Sequence, residues 1–188
     1  MKNAPRLNLL FLSGIWIALV AIGGLGRLWQ PAWNVTPMAG IALAAGAVFP
    51  NMAVAASVPL AAIMLSNLVL PAYGSLAMAV IVYAAIAWPV LLGGRLQVDG
   101  RGKAGNWIAL FGSALASSLV FYLTTNLAHW WLTNDYPHTA EGLLTCYAAA
   151  LPFYRWMPVG DLVWSGAIFA GLSAVVSAAQ TSRSTAAA

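Results

Sequence analysis

Apolar runs of about 20 residues, the length that crosses a hydrocarbon core of about 30 Å as a helix, recur along this chain with short polar breaks between them. The first covers Leu9 to Gly26, behind a basic leader that carries Lys2 and Arg6. A secretory signal peptide begins the same way, but Arg27 follows closely and no small-residue cleavage motif stands out, so the run is read as a retained helix. The second starts near Thr36 and Pro37, where a first-turn proline gives up no intrahelical bond, and stops at Phe49-Pro50-Asn51. The third extends from Met52 to Leu70 and includes Pro59; so tight a turn makes the two an antiparallel hairpin. Pro71-Ala72-Tyr73-Gly74 breaks the chain again, and a fourth run reaches Leu92.

A hydrophilic, glycine-rich connector, GGRLQVDGRGKAGN, precedes a fifth run from Asn106 to Leu132. A sixth covers Pro158 to Ala179 and is followed by a polar tail, 181–188, expected to be disordered. Between them Ala140 to Tyr154 is too short to span comfortably and reads as an interfacial or re-entrant helix. The pattern predicts an all-α integral membrane protein: six transmembrane helices plus one short helix before the last span, in a single polytopic domain over residues 1–180.

Composition agrees. Hydrophobic residues make up 62% of the chain and charged ones 6%, against about 25% charge in soluble domains, too little to face water. In a bilayer, helices satisfy their own backbone groups. Charge then sets the orientation. With both termini cytoplasmic, Lys2, Arg6, Arg95, Arg101, Lys103 and Arg183 fall inside and Arg27 and Arg155 outside, as the positive-inside rule requires. The net charge of +4 therefore reports topology, and no basic surface suited to nucleic acid is present.

Candidate chemistry is concentrated in TTNLAHWWLTNDYPHTAEGLLTCY, residues 124–147, which holds both histidines, the one cysteine and two of the four acidic residues. The fifth run, about 40 Å long as a helix, must leave the hydrocarbon on the external side. There Tyr122, Asn126, His129 and Thr133 share one helical face, with Trp130 and Trp131 beside them. The tryptophans suit an aromatic belt, and Asn126 either ties two helices together or faces a wet cavity. Trp29, Trp33 and Asn34 in the first external loop, Asn67 at the end of the third run and Asp161 at the start of the sixth reach the same end. Asp161 is either a helix-start cap paired with Arg155 or a pocket wall. Polar groups from several helices meeting among aromatic surfaces form the kind of site that takes a small molecule.

Catalysis finds little support. Cys146 has no second cysteine to pair with and sits at helical spacing among apolar residues, as a buried small hydrophobe does. A Cys146–His129 dyad is the alternative, and a metal site rests on composition alone. No phosphate loop, carboxylate pair or serine elbow occurs, so no cofactor and no enzymatic activity are expected. On the first run Gly14, Ala18 and Ala21 form a flat stripe for close helix approach, within the chain or to a partner subunit; Gly40/Ala44 and Ala42/Gly46 repeat the spacing on the second.

The segment from Asn34 to Phe49, Ser66-Asn67-Leu68, Thr125-Asn126, Cys146 to Phe153 and Gly160-Asp161 resemble a family of bacterial six-span membrane proteins of unknown function, over most of the chain from Trp33 to Gly171. That family is similar to the substrate-binding S components of energy-coupling factor transporters. The resemblance implies a multi-pass protein of the bacterial inner (cytoplasmic) membrane that captures a small vitamin-like or metal-related solute at the external face for uptake. The loops that close over substrate match Trp29 to Thr36, Asn67 to Tyr73 and Asn126 to Arg155. Gly14, Ala18 and Ala21 match the motif that docks on a transmembrane coupling subunit with its ATPases. Asn67 departs from the acidic residue that often follows the serine, and no vitamin-specific motif is complete. The expected substrate wall is Trp29, Trp33, Asn34, Asn67, Asn126, His129, Trp130 and Asp161. A structural or assembly subunit without ligand, or a membrane thiol enzyme using Cys146 and His129, are the alternatives.

Overall fold

The computed structural model of the protein describes residues 9–32, 34–71, 73–98 and 104–186. Lys2, Arg6, Trp33, Arg101, Lys103 and the last two residues of the tail lie outside the described residues. Every regular element described is a helix: α1 (Leu9–Leu28), α2 (Met38–Val48), α3 (Met52–Ser66), α4 (Leu76–Ala87), α5 (Pro89–Gly93), α6 (Ala104–Leu132), α7 (Ala140–Tyr154) and α8 (Met157–Ala186). Polar caps set several starts. Asn51 accepts from Ala53 N and Val54 N at the head of α3, Ser75 from Met78 N at α4, and Thr139 from Gly142 N at α7. α4 and α5 are one bent rod, because Pro89 has no N–H to continue the ladder past Trp88.

Among the described residues four rods are long and apolar enough to cross a membrane: Leu9–Leu28, Leu76–Gly93, Asn106–Leu132 and Met157–Ala179. The second and third runs fold into shorter helices than their hydropathy predicts, 11 residues in α2 and 15 in α3. Proline bounds α2 at Pro37 and Pro50. α3 stops at Ser66, where the chain tightens into a turn with Leu68 N donating to Leu65 O and Leu70 N to Ser66 O. At the other end α8 continues to Ala186, through most of the segment expected to be a disordered tail.

α2 is the centre of the bundle. Met38 through Ala45 are all buried, with α1, α3, α5 and α8 packed around them. Without a hydrophobic driving force between helices in lipid, close backbone approach supplies the attraction, and small residues permit it. A Cβ at Gly46 would lie 2.0 Å from Val90 O, and one at Gly93 2.1 Å from Leu43 O, so α2 and α5 touch backbone to backbone. Gly40 meets the backbone of Ser165 on α8 in the same manner. The small-residue spacing on α2 therefore serves packing within this chain. On α1, Ile15, Leu19, Val20 and Gly23 are buried, and Trp16 Nε1 donates to Ser57 Oγ on α3 at 2.9 Å. Gly14, Ala18 and Ala21 face outward, with nothing within 4 Å of a Cβ placed on Gly14.

α6 is served by two partners in succession. Ser118, at its middle, meets Asp161 of α8, whereas Tyr122 and Asn126 meet Tyr147 and Cys146 of α7. α8 thus starts beside the midpoint of α6, and α7 covers the about 21 Å of α6 beyond it. This offset carries the residues of the α8 start into the bundle interior.

Candidate functional site

Where the ends of α1 and α3 meet α2, α4, α6 and α8, the bundle leaves a cavity of about 250 Å³. At about 30 Å³ per water that is room for about eight waters, or one solute of about ten non-hydrogen atoms. The lining is mostly apolar, with Met38 and Ala39 from α2, Val82 and Ile86 from α4 and Phe121 from α6. Into it the chain sets Arg27, Gln30, Asn34, Ser117 and Asp161.

Arg27 stands in the last turn of α1, where the helix dipole favours a cation. Its Nη1 donates to Ile63 O at 3.3 Å, to Ser66 Oγ, and to Asn67 Oδ1 at 2.9 Å. The Asn67 amide is itself fixed, since Nδ2 donates to Tyr83 Oη at 3.0 Å. The Tyr83 ring in turn meets Tyr73 edge-on at 6.0 Å, and Tyr73 lines the cavity. One edge of the guanidinium is therefore held by neutral groups of α3. No described residue bonds to Nη2 or Nε, so those donors remain unused in a side chain that lines the cavity.

Asp161 lies on another wall, in the second turn of α8, and is 2% exposed. Ser118 Oγ donates to its Oδ2 at 2.7 Å, and no described residue donates to Oδ1. The cap with Arg155 does not form: Arg155 lies over the Trp156 ring, 5.7 Å from its centroid. The reason is the depth at which α8 begins. Arg27 and Asp161 line one cavity without an ion pair between them; the ion pair found among the described residues is elsewhere. Pro89 adds another open acceptor, because it has no N–H for the carbonyl of Ala85 four residues earlier, and both residues line the cavity.

Asn34 closes the loop side. Its φ of 61° is left-handed, a conformation asparagine tolerates better than most residues. Its backbone N–H donates to Gln30 Oε1 at 3.0 Å and its Nδ2 to Phe153 O at 3.2 Å, tying the first loop to the end of α7.

The other expected wall residues go elsewhere. Trp29 is 91% exposed and outside the cavity, and Trp33 lies outside the described residues. Asn67 backs Arg27 rather than lining the space. Asn126, His129 and Trp130 sit on the distal half of α6, each already bonded. Asn126 Nδ2 donates to Tyr122 O at 2.8 Å, Trp130 Nε1 to Pro137 O at 2.9 Å, and His129 Nε2 lies 3.0 Å from Asp135 Oδ2. Across the same seam Tyr122 Oη donates to Tyr147 O at 2.6 Å and Tyr147 Oη to Leu123 O at 2.8 Å. Cys146 is 2% exposed, its Sγ donates to Asn126 O at 3.6 Å, and burial pushes its thiol pKa up. His129 is engaged with Asp135 instead of the thiol. Among the described residues no three His, Cys, Asp or Glu side chains gather as a metal would need.

Sequence reasoning used Arg27 to argue against a cleaved leader and to set topology, took Gln30 only as part of the loop from Trp29 to Thr36, and passed over Ser117 and Ser118. A lone arginine ending an apolar helix is the one signal of the four that sequence offers; an intramembrane serine reads the same whether it bonds its own helix or a carboxylate. No curated protein and no solved structure matches this chain. A family model covers residues 5–184, and the chain belongs to that family, the family of unknown function DUF6580.

Proposed function

We propose that this protein is a membrane-embedded receptor that captures a small solute in the cavity between α1, α2, α4, α6 and α8, as one step in its uptake. A single observation carries the reading: a small, mostly apolar cavity into which two separate helices place Arg27 and Asp161 and the first loop places Asn34, with hydrogen-bonding capacity left over. Charged side chains among transmembrane helices are costly and are kept where they meet a substrate or each other. In the full reading the chain crosses a bacterial inner membrane six times, with both termini cytoplasmic. α2 is short, and its residues Met38 to Ala45 are buried among the surrounding helices rather than turned to lipid. The exposed stripe of Gly14, Ala18 and Ala21 is then the surface for a coupling partner.

The reading is tested by native mass spectrometry of gently extracted protein beside the cavity-filling variant Ala85→Leu. The expected result is a small adduct on the parent protein that the folded variant lacks. Equal occupancy in both would place the solute outside the cavity and end the proposal.

A further inference from the structure

The two charges of the cavity specify the solute beyond its size. We propose that the cavity takes a small zwitterion, a molecule carrying an anionic group for Arg27 and a cationic group for Asp161; this rests on the capture reading above.

Three observations combine. First, Arg27 and Asp161 are a base and an acid that share a cavity of about 250 Å³ and yet form no ion pair. Second, each is tied to its own wall by neutral partners alone, Ile63, Ser66 and Asn67 for the guanidinium and Ser118 for the carboxylate. Those bonds fix the two groups apart and prevent them from collapsing onto each other. Third, each keeps unused capacity: Nη2 and Nε on one side, Oδ1 on the other. Asp161 is buried and Arg27 half-buried, and a charge withdrawn from water without a counter-charge is expensive. A guest with one charge would relieve one wall and leave the other uncompensated, and a neutral guest would relieve neither. A guest with both charges at matching separation satisfies both at once, and its apolar middle meets Val82, Ile86 and Phe121. The planar guanidinium favours a carboxylate or phosphate that accepts two parallel bonds. Ammonium donors suit Asp161 Oδ1.

The experiment uses the full chain in lipid nanodiscs and measures affinities by calorimetry for defined probes. L-valine, 4-aminobutyrate and 6-aminohexanoate are zwitterions of increasing charge separation; hexanoate, hexylammonium and hexanamide are the singly charged and neutral controls. The expected result is that one zwitterion binds at least about thirtyfold more tightly than every control, the low end for one member of a buried charge pair. Arg27→Gln should reduce its affinity to that of hexylammonium and Asp161→Asn to that of hexanoate, while Arg27→Lys keeps part of the preference. Thermal unfolding of each ligand-free variant reports folding, and a double-mutant cycle on the same data adds a second readout. Additive effects of Arg27→Gln and Asp161→Asn are expected, whereas strong coupling without ligand would show that the two charges serve each other through water and would overturn the proposal. So would equal affinity for zwitterions and controls. A neutral adduct in the mass spectrum that Ala85→Leu removes would leave solute capture standing and sink only the zwitterion.

Discussion

The distal seam of α6 with α7 and the cavity beneath it differ in a way that polar content alone conceals. The seam holds both the thiol and a histidine, with Tyr122, Asn126, His129, Trp130, Cys146 and Tyr147 within a few turns, but each donor ends on a nearby carbonyl or carboxylate. The cavity has about as many polar groups, and the two that matter most, Arg27 and Asp161, stop short of full satisfaction. Unused hydrogen-bonding capacity facing a void marks a binding site better than a dense cluster of reactive side chains does.

That contrast breaks most sharply by truncation. Arg27→Ala and Asp161→Ala should each weaken solute retention by about thirtyfold or more, the low end for removing one member of a buried charge pair. Asn126→Ala, His129→Ala and Trp130→Phe should leave it within about twofold. Titration of the retained solute on each purified variant checks the ranking, and a large loss from any of the three seam variants would collapse the distinction.

A next effect belongs to the seam alone. In the first turn of α7, Gly142 sets its backbone against Pro137, where a Cβ would lie 2.0 Å from the proline carbonyl. Backbone cannot yield as a flexible side chain does, so Gly142→Val should cost about 2–4 kcal/mol. Thermal unfolding should register the loss while affinity for the solute in the surviving folded protein stays near that of the parent, because none of the cavity charges touches Gly142.

Asn67 lies between the two regions in its expected consequences. It holds Arg27 at 2.9 Å and is held by Tyr83 at 3.0 Å, so Asn67→Ala should cost about 1–3 kcal/mol through the unsatisfied partners it leaves. It should also weaken solute binding by about tenfold, since the guanidinium loses part of its aim. Tyr83→Phe, which removes only the outer bond, should show the same signs at about half the size. Affinity lost without stability, or stability without affinity, would separate the two roles assigned to the amide.

How far the sequence carries this picture depends on the kind of information each feature needs. The helices of the first, fifth and sixth runs are legible because hydropathy and length act along the chain. The end of α3 at Ser66 is not, since Asn67 to Leu70 is as apolar as what precedes it and only the turn bonds show the change. Asp161 was legible as a residue at a helix start, and its depth was not: nothing local says that α8 begins beside Ser118 at the middle of α6. Asn126 and His129 looked like site residues because their partners, the Tyr122 carbonyl and Asp135, are set by helix geometry and loop folding that composition does not encode. Arg27 looked like a topology marker, and the three acceptors that hold it come from a helix about 40 residues away in the chain.

The smallest expected effect tests the closed character of the seam from its edge. His129 and Asp135 form an ion pair at 3.0 Å, with side chains 38% and 64% exposed. Water reaches both, screening their attraction, and the side chains lose rotamer freedom in holding one geometry, so the pair should contribute no more than about 0.5 kcal/mol. Asp135→Asn should therefore shift thermal unfolding by a degree or so at low salt and by less at high salt, where screening is stronger. It should leave solute retention unchanged. A salt-independent loss of several kcal/mol would mean that the pair is buried by something the isolated chain lacks, such as a partner seated on the outer end of α6. The seam would then have to be regarded as an interface rather than as a closed internal contact.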